Sequence, residues 1–219
     1  MTPLPTPIRA DSLSRQVFGI LKEAVFDGKF QQGELIAEIK IAKWLNVSQA
    51  TVREALVLLE QNGLVVRQKN RKTQVNRLTT DEVRDRVAMR VALEPLAALK
   101  ASKVMSSEDL EKLCRLAEQM PAGDEGKRLS STLADLEFHR YLWEKTGSPI
   151  LARTLEQLTT PLFAFVEPDL PETQSRHLLL VETLRIRDSE LITDRVRSHI
   201  EEAYRSFLQP EAGRAAKTA

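Results

Sequence analysis

The chain has 219 residues, of which 42% are hydrophobic and 29% are charged. This is the composition of a globular protein with room for one large domain or two modest ones, and it excludes collagen-like and fully disordered chains. The apolar runs are too short to cross a bilayer, and the first ten residues lack the apolar segment of a secretory signal. We therefore expect a cytoplasmic protein without a membrane partner, and its single cysteine, Cys114, agrees with a reducing compartment.

The charges divide the chain into two unlike parts. Residues 1–78 carry 12 Lys and Arg against 7 Asp and Glu, a net charge of +5, whereas residues 79–219 carry 20 against 24, a net charge of −4. A basic N-terminal domain followed by an acidic C-terminal one indicates that only the first meets a polyanion. Because small net charges are common, this asymmetry needs support from the local pattern of residues.

The basic part predicts three helices in succession, over residues 11–27, 38–45 and 48–61. Gly28 can adopt the positive φ that closes the first helix, and Ser48 is a favourable N-cap for the third. A short extended piece over 34–36 separates the first two helices. Apolar residues recur at helical spacing and are expected to face the core: Val17, Ile20, Leu21, Ala24 and Val25; then Ile41, Ala42 and Leu45; then Val52, Ala55, Leu56 and Leu59.

The period of the apolar residues then changes from helical to alternating. Residues 64–67 and 73–76 predict two short strands, joined by a polar tip over 68–72. Three short helices followed by a hairpin with a basic tip are the layout of a winged helix-turn-helix. The alternative is a small structural three-helix unit with a solvated charged loop.

In a winged helix-turn-helix the third helix enters the major groove. With its apolar stripe in the core, the first turn of this helix would present Gln49, Ala50 and Arg53 outward, where side chains can reach base edges. Basic side chains of the hairpin would lie beside phosphates or the minor groove: Arg67, Lys69, Arg71 and Lys72.

The acidic part is almost entirely helical in pattern. It predicts about six helices, over 80–104, 107–120, 127–146, 149–167, 171–188 and 188–209, with proline- and glycine-rich breaks between several of them. Acidic residues at 81 and 82 favour a helix start, because negative charge stabilises the N-terminal end of a helix. We expect these helices to form an antiparallel bundle.

All three histidines of the chain fall in the predicted bundle. Asp135 and His139 are four residues apart on one helix, so their side chains share a face. His177 and His199 lie eleven residues on either side of the expected turn at Asp188, so an antiparallel hairpin would bring them to one level. One carboxylate and three imidazoles form a donor set for zinc, nickel or manganese. For each histidine alone, a surface or hydrogen-bonded core position is the alternative.

Arg90 and Glu94 are also four residues apart, on the first helix of the bundle. They are spaced for an ordinary surface ion pair worth a few tenths of a kcal/mol. Alternatively, an arginine near a metal could bind an organic carboxylate with its planar fork.

Over about residues 12–209 the chain resembles GntR-family transcriptional regulators of the FadR-like subfamily, which carry an FCD ligand-binding domain. In the first domain the matching residues are Gly28, Gly33, Glu38, Ala42, Leu45, Val47-Ser48, Val52-Arg53-Glu54-Ala55-Leu56, Leu59-Glu60 and Gly63-Leu64-Val65. In the second they are Arg90, Glu94, Asp135, His139, His177 and His199.

The resemblance implies a mainly α fold: a winged helix-turn-helix DNA-binding domain over 1–78 and an all-α antiparallel bundle of FCD type over 79–219. It further implies a homodimer formed through the bundles, a double-stranded DNA operator with an inverted repeat, and a small organic carboxylate as effector. We expect this effector to bind beside a divalent metal, with zinc as the first choice and nickel or manganese as alternatives.

The resemblance also suggests roles for particular residues. The candidate DNA-binding residues are Ser48, Gln49, Ala50, Thr51, Arg53, Lys69, Asn70, Arg71 and Lys72. The candidate metal ligands are Asp135, His139, His177 and His199. The candidate effector-binding residues are Arg90, Glu94 and Arg140.

Four residues depart from the family pattern, of which one, Gln32 at a position where Pro is common, is expected to be harmless. Gln49 replaces a usual Arg, Thr51 replaces a usual Pro, and Lys72 stands where a wing glycine is common. Because Gln favours adenine where Arg favours guanine, we expect an operator that differs from the usual one. The missing glycine weakens the expectation of a minor-groove contact by the hairpin tip.

These observations predict an effector-responsive transcriptional repressor that is not an enzyme. One alternative is the same fold with a purely structural metal and no effector. Another is a metal-dependent hydrolase, because a site with three His and one Asp could activate water. Against this second alternative, the sequence offers no strong general base, and the helix-turn-helix would have no purpose. Release and tightening of DNA by the effector are both compatible with the sequence.

Overall fold

The computed structural model describes residues 13–68, 72–120, 128–169 and 174–208. Contacts divide the chain into two compact units, Met1–Val75 and Asn76–Ala219. The mainly α fold predicted from the sequence is confirmed, since the described elements are helices apart from three strands of two or three residues. Within these described parts, no helix is both long and apolar enough to span a bilayer.

The described residues of the first unit form three helices and a small sheet. In chain order the elements are α1 (Leu13–Phe26), β1 (Leu35–Ile36), α2 (Glu38–Leu45), α3 (Gln49–Gln61), β2 (Val65–Arg67) and β3 (Thr73–Val75). The strands are antiparallel in the order β1-β3-β2. Thr73 of the central strand β3 lies opposite Ile36 of β1 and opposite Arg67 of β2. The predicted extended piece is therefore a third strand, which fixes the hairpin against the start of α2.

Local sequence signals determine where these helices begin and end. Gly28 closes α1 with a φ of 69°, and Asn46 closes α2 with a φ of 52°, a conformation that Asn tolerates better than most residues. Ser48 caps α3, because its side chain accepts a hydrogen bond of 3.1 Å from the amide of Thr51. The start of α3 is thus held rigidly at the surface.

Most of the predicted core of the first unit is buried. All four predicted residues of α3 are at most 1% exposed: Val52, Ala55, Leu56 and Leu59. The prediction for Ile20 is wrong, since 43% of this residue is exposed. On a helical wheel Ile20 lies about a quarter turn from the middle of the buried stripe, which includes Ser14 as well as Val17 and Leu21.

The second unit is a bundle of long helices. Its elements are α4 (Thr80–Val104), α5 (Ser107–Glu118), α6 (Arg128–Glu144), α7 (Pro149–Phe165), α8 (Gln174–Ile186), α9 (Ser189–Ala203) and α10 (Arg205–Leu208). Helix α4 packs against α6, α7, α8 and α9 and is the centre of the bundle. Its N-terminus carries a capping box in which Thr79 and Glu82 exchange hydrogen bonds.

The last predicted helix, 188–209, is divided in two by the structure. Tyr204 has a φ of −129° and ends α9, and the short helix α10 follows. Tyr204 is 3% exposed, so its ring is a core group in a segment that the sequence pattern presents as continuous helix. Burial of this aromatic ring in a non-helical conformation overrides the helical preference of its neighbours.

A proline inside α7 connects this helix to α4. Pro161 has no amide hydrogen, so the carbonyl of Gln157 loses its partner in the helix. The guanidinium of Arg86, on α4, donates to this carbonyl at 3.0 Å and to that of Leu158 at 3.2 Å. Arg86 thereby satisfies the backbone groups that the proline exposes, and this contact ties α7 to the central helix.

Candidate functional site

The first unit has a polar groove between the start of α3 and the small sheet. The groove encloses about 750 Å³ and is lined by residues from α2, α3, β2 and β3. Its charged and polar lining consists of Glu38, Gln49, Arg53, Arg67 and Lys72, with Thr73 on the strand between them. Three of these side chains are cationic at neutral pH and one is anionic, so the groove is basic on balance.

The first turn of α3 is exposed at the edge of this groove. Ser48, Gln49 and Ala50 are exposed, and Thr51 is half-buried. The hydroxyls of Ser48 and Thr51 lie 2.8 Å apart and form a hydrogen bond. Because the cap fixes this turn, the exposed side chains have a rigid support for binding a ligand.

Arg53 is oriented by an acidic residue of α2. Its Nε donates to Oε2 of Glu38 at 2.7 Å, while 60% of the Arg53 side chain remains exposed. An exposed ion pair of this kind adds little to stability. The contact instead restricts the direction of the guanidinium, which is held over the groove.

The hairpin contributes the other side of the groove. Arg67 and Lys72 are exposed and line it together with Arg53. Three predicted DNA-binding residues, Lys69, Asn70 and Arg71, lie outside the described residues. Arg67, which belongs to the predicted basic hairpin, thus joins Gln49 and Arg53 around one groove.

The second unit brings the three histidines together in its core. His139 lies on α6, His177 on α8 and His199 on α9, and their ligating nitrogens all lie within 4.8 Å of one another. These residues are 2%, 0% and 5% exposed. The antiparallel pairing of α8 and α9 about Asp188 places the last two at one level, as their spacing predicts.

Asp135 completes the cluster. Its Oδ1 lies 3.0 Å from Nε2 of His177 and 3.3 Å from Nε2 of His139, and the residue is 3% exposed. The i, i+4 spacing on α6 accounts for the contact with His139. The four predicted metal-ligand residues are therefore adjacent in one buried place.

The donor chemistry of this cluster fits a divalent transition metal. Within the described parts of the chain, neither ring nitrogen of His139 has a partner with hydrogen-bond geometry. Its contacts with Asp135 and Glu94, both 3.3 Å, have ion-pair distances only. Buried polar atoms are normally satisfied, and three imidazoles with one carboxylate suit zinc or nickel.

The electrostatics of the cluster also favour a cation. Burial alone would lower the pKa of His139, but Glu94 and Asp135 raise that pKa to about 9. Burial and the neighbouring His177 and His139 lower the pKa of His199 well below its usual value. Burial alone would raise the pKa of Asp135, but His177 and His139 hold it far below its usual range. In the metal-free protein His139 therefore keeps its proton beside two carboxylates at neutral pH.

Arg90 and Glu94 form a buried ion pair and not a surface pair. Arg90 Nε donates to Glu94 Oε1 at 2.6 Å, and each residue is only 2% exposed. The alternative of an ordinary surface ion pair is therefore wrong, because α4 lies at the centre of the bundle and this face of it is covered. Burial alone would raise the pKa of Glu94, but Arg90 and His139 lower it to about 2.

Arg140 lies apart from Arg90 and Glu94. Its guanidinium pairs with Glu137 and Glu156 at 3.3 Å, and 36% of its side chain is exposed. The neighbouring His139 is buried, because consecutive residues of a helix point in different directions. The structure therefore brings two of the three predicted effector-binding residues to the histidine cluster and leaves Arg140 in surface ion pairs.

Sequence reasoning missed several buried polar atoms of α6 and α7. Among the described residues, the hydroxyls of Thr159 and Thr160 and Nε1 of Trp143 have no hydrogen-bond partner. The ring of Trp143 lies 5.8 Å from that of His139, and the ring of Phe163 lies 6.2 Å from it. Thr159 is four residues before Phe163, so both share one face of α7. The i, i+4 spacing of Trp143 from His139 was a usable signal, but nothing in the sequence distinguishes the two threonines.

Both units match known protein families. Residues 13–75 match the family described as bacterial regulatory proteins, gntR family, and residues 85–202 match the FCD domain family. The FCD match alone covers more than half of the chain.

Similar proteins match over nearly the whole chain. The HTH-type transcriptional repressor RspR of Escherichia coli strain K12 is 26% identical over 206 residues, which cover 90% of each protein. The HTH-type transcriptional repressor NanR of Cronobacter sakazakii is 23% identical over 92% of this chain and 87% of its own length. The solved structure of E. coli McbR/YncC has the same fold, with a TM-score of 0.73 and 22% identity over 88% of this chain and 95% of that chain.

In the metal-free protein, the shifted pKa values of His139 and His199 should make stability depend on pH. Because the pKa of folded His139 is raised to about 9, its contribution to stability is complete below pH 6.5 and is lost as the pH rises towards 9. His199 behaves oppositely, and its contribution is lost as the pH falls below its usual pKa. NMR of the imidazole C–H signals in chelator-treated protein should give one midpoint near 9.

The matched variants for this titration lie on the same helix. Asp135→Asn should lower the midpoint of His139, because it removes a carboxylate 3.3 Å away. Glu137→Gln should leave the midpoint unchanged, because Glu137 is exposed and pairs with Arg140. A wild-type midpoint at or below 6.5 would contradict this electrostatic description.

Proposed function

Because the chain belongs to the gntR family of bacterial regulatory proteins and carries an FCD domain, we propose that it is a metal-containing, effector-responsive transcriptional repressor. The family consists of regulators and not of enzymes, and the relatives RspR and NanR are named repressors. The observation that carries the metal-dependent part of the proposal is the convergence of Asp135, His139, His177 and His199 in the core of the second unit. The protein acts in the cytoplasm, where the DNA is.

The groove of the first unit is the DNA-binding surface in this proposal. Gln49 and Arg53, at the start of α3, contact base edges in the major groove, with Ala50 beside them. Ser48 and Thr51 contact phosphate. The hairpin residues Lys69, Asn70, Arg71 and Lys72, joined by Arg67, contact the backbone or the minor groove. The exposure of the α3 turn and the basic lining of the groove support these roles.

In the second unit, Asp135, His139, His177 and His199 would hold the metal, with zinc as the first choice and nickel or manganese as alternatives. When bound, the metal would supply a Lewis-acidic position for an organic carboxylate. The residues of the chain provide the donors, exclude water by burial, and keep two carboxylates close to the positive charge.

The effector in this proposal is a small organic carboxylate bound beside the cluster. Support comes from Nε1 of Trp143, which has no hydrogen-bond partner among the described residues and whose ring lies 5.8 Å from that of His139, since buried polar groups without partners suit a polar ligand. Glu94, which is paired with Arg90, lies 3.3 Å from His139 and so borders the proposed effector position. Arg140 instead forms an ion pair with Glu156.

A homodimer through the second unit is supported by an apolar stripe on α4. Met89 is 47% exposed and Leu96 is 48% exposed, and the half-buried Leu93 lies between them at helical spacing. Pairing of such stripes would bury them and give the assembly a two-fold axis. Two α3 helices related by that axis match an operator with an inverted repeat.

Regulation follows from differential affinity. An effector that binds one arrangement of the dimer more tightly shifts the population towards it. A change in the separation of the two α3 helices then alters the affinity for an operator of fixed half-site spacing.

A purely structural metal is the second candidate, because the ligands are 0–5% exposed and closed structural sites have this character. In that case the metal would stabilise the bundle and no small acid would bind to it.

Substitution of Arg53 should weaken binding to a DNA sequence selected by the protein from a random pool. Loss of a bidentate base contact costs about 1–3 kcal/mol, so Arg53→Ala should raise the Kd strongly, as measured by fluorescence anisotropy. Lys29→Ala is the matched control, because Lys29 pairs with Asp27 and does not line the groove. Equal effects of the two variants would contradict the assignment of the groove.

A bound metal should stabilise the second unit, and this stabilisation should depend on the carboxylate of Asp135. At 100 times its Kd, a bound metal adds about 2.7 kcal/mol, so zinc should raise the melting temperature of chelator-treated protein. Asp135→Asn should lose most of this increase, whereas Glu137→Gln, an exposed change on the same helix, should keep it. A wild-type melting temperature that is insensitive to zinc, nickel and manganese would contradict the metal centre.

The same melting experiment separates the two candidate functions when small organic acids are added. The effector proposal predicts that at least one acid raises the melting temperature of the zinc-loaded protein and has no effect after chelation. If no acid in a broad panel stabilises the zinc-loaded protein, the purely structural metal is favoured and the effector proposal fails.

A further inference from the structure

Both oxygens of the Glu94 carboxylate are engaged. Oε1 accepts a hydrogen bond of 2.6 Å from Nε of Arg90, and Oε2 lies 3.3 Å from Nδ1 of His139. Glu94 and Arg90 are each 2% exposed, so water does not compete for these positions. Glu94 therefore connects a fixed cation on its own helix to one edge of a histidine on α6.

The opposite edge of His139 faces the candidate metal ligands. Its Nε2 lies 3.3 Å from Oδ1 of Asp135, and the same oxygen lies 3.0 Å from Nε2 of His177. A histidine that ligates a metal binds through one nitrogen and carries its proton on the other. A carboxylate beside the second nitrogen fixes the tautomer and the orientation of the ring.

The guanidinium of Arg90 packs against two aromatic rings. Its guanidinium carbon lies 5.2 Å from the centre of the Phe163 ring and 5.6 Å from that of Tyr204. These rings come from α7 and from the end of α9. Since the arginine packs against two aromatic rings and is bound to Glu94, it restricts rotation of the Glu94 carboxylate.

We propose that Arg90 and Glu94 are positioning residues for His139: when Nε2 of His139 binds the metal, the Glu94 carboxylate, which lies 3.3 Å from Nδ1, accepts the hydrogen bond that keeps the proton on Nδ1. This inference rests on the proposed metal centre. This role differs from direct effector binding, because one oxygen of Glu94 accepts from Arg90 and the other lies beside His139.

NMR can determine the tautomer in the wild-type protein. Long-range ¹H–¹⁵N spectra of the zinc-loaded, histidine-labelled chain should give His139 a protonated Nδ1 and a metal-bound Nε2. The signals of His139 can be assigned from its contact with the Trp143 ring. A metal-bound Nδ1 would overturn the inference.

Metal affinity provides a second test. Loss of such an outer partner lowers affinity about 10- to 100-fold, so Glu94→Gln should raise the Kd for zinc by that factor in a chelator-competition titration. It should also shift the visible bands of the cobalt-loaded protein, which report on ligand orientation. Glu137→Gln, an exposed carboxylate on the helix of His139, should change neither quantity.

Glu94→Gln should also lower the stability of the fold, because it leaves the Arg90 charge buried without its carboxylate. The double variant Arg90→Met, Glu94→Gln removes that charge as well and should show the same weakened binding. Either variant, folded and binding zinc with the wild-type Kd and cobalt spectrum, would overturn the inference. Failure of the wild type to bind any metal is a different result, which would refute the metal centre together with the role of Glu94.

Discussion

The bundle of the second unit buries six titratable side chains in one place. Arg90, Glu94 and Asp135 accompany the three histidines, and none of the six is more than 5% exposed. Removing charges from water is costly unless each charge has a partner, so the helices that carry them must keep a fixed register. Helices α4, α6, α8 and α9 each supply at least one member. The polar cluster therefore constrains the packing of the bundle as strongly as its apolar core does.

This constraint bears on the proposed regulation. The six titratable groups are distributed over four helices, so a charge placed among them acts on all four helices. A ligand that changes those contacts changes the relative free energies of helix arrangements. The first unit differs in character, because its polar side chains at the start of α3 are exposed on a turn that is capped by Ser48.

Much of this architecture could be predicted from the sequence, because the signals are local. The apolar period and caps such as Ser48 determine helices, and equal spacing about Asp188 places His177 opposite His199. Contacts between elements that are distant in the chain are not visible as local patterns in the sequence. The division of α9 from α10 depends on burial of Tyr204, and the burial of Arg90 with Glu94 depends on helices that cover α4. Spacing alone could not distinguish this buried pair from a surface pair.

The candidate metal ligands could be predicted from the sequence only in part. Asp135 and His139 are recognisable as an i, i+4 pair, but the contact of Glu94 with His139 joins α4 to α6 and depends on their packing. Thr159 and Thr160 belong to an ordinary helical segment, and their hydroxyls stand out only because the described structure gives them no partner. Site residues that act through tertiary contacts thus require the fold.

The proposed metal centre can be tested most directly by X-ray diffraction from crystals of the protein grown with zinc, with data collected on both sides of the zinc absorption edge. The account predicts one anomalous peak per chain, bounded by Asp135, His139, His177 and His199, with zinc–nitrogen distances of about 2.0–2.1 Å. Ordered histidines surrounding no anomalous peak, with zinc bound elsewhere or not at all, would contradict it.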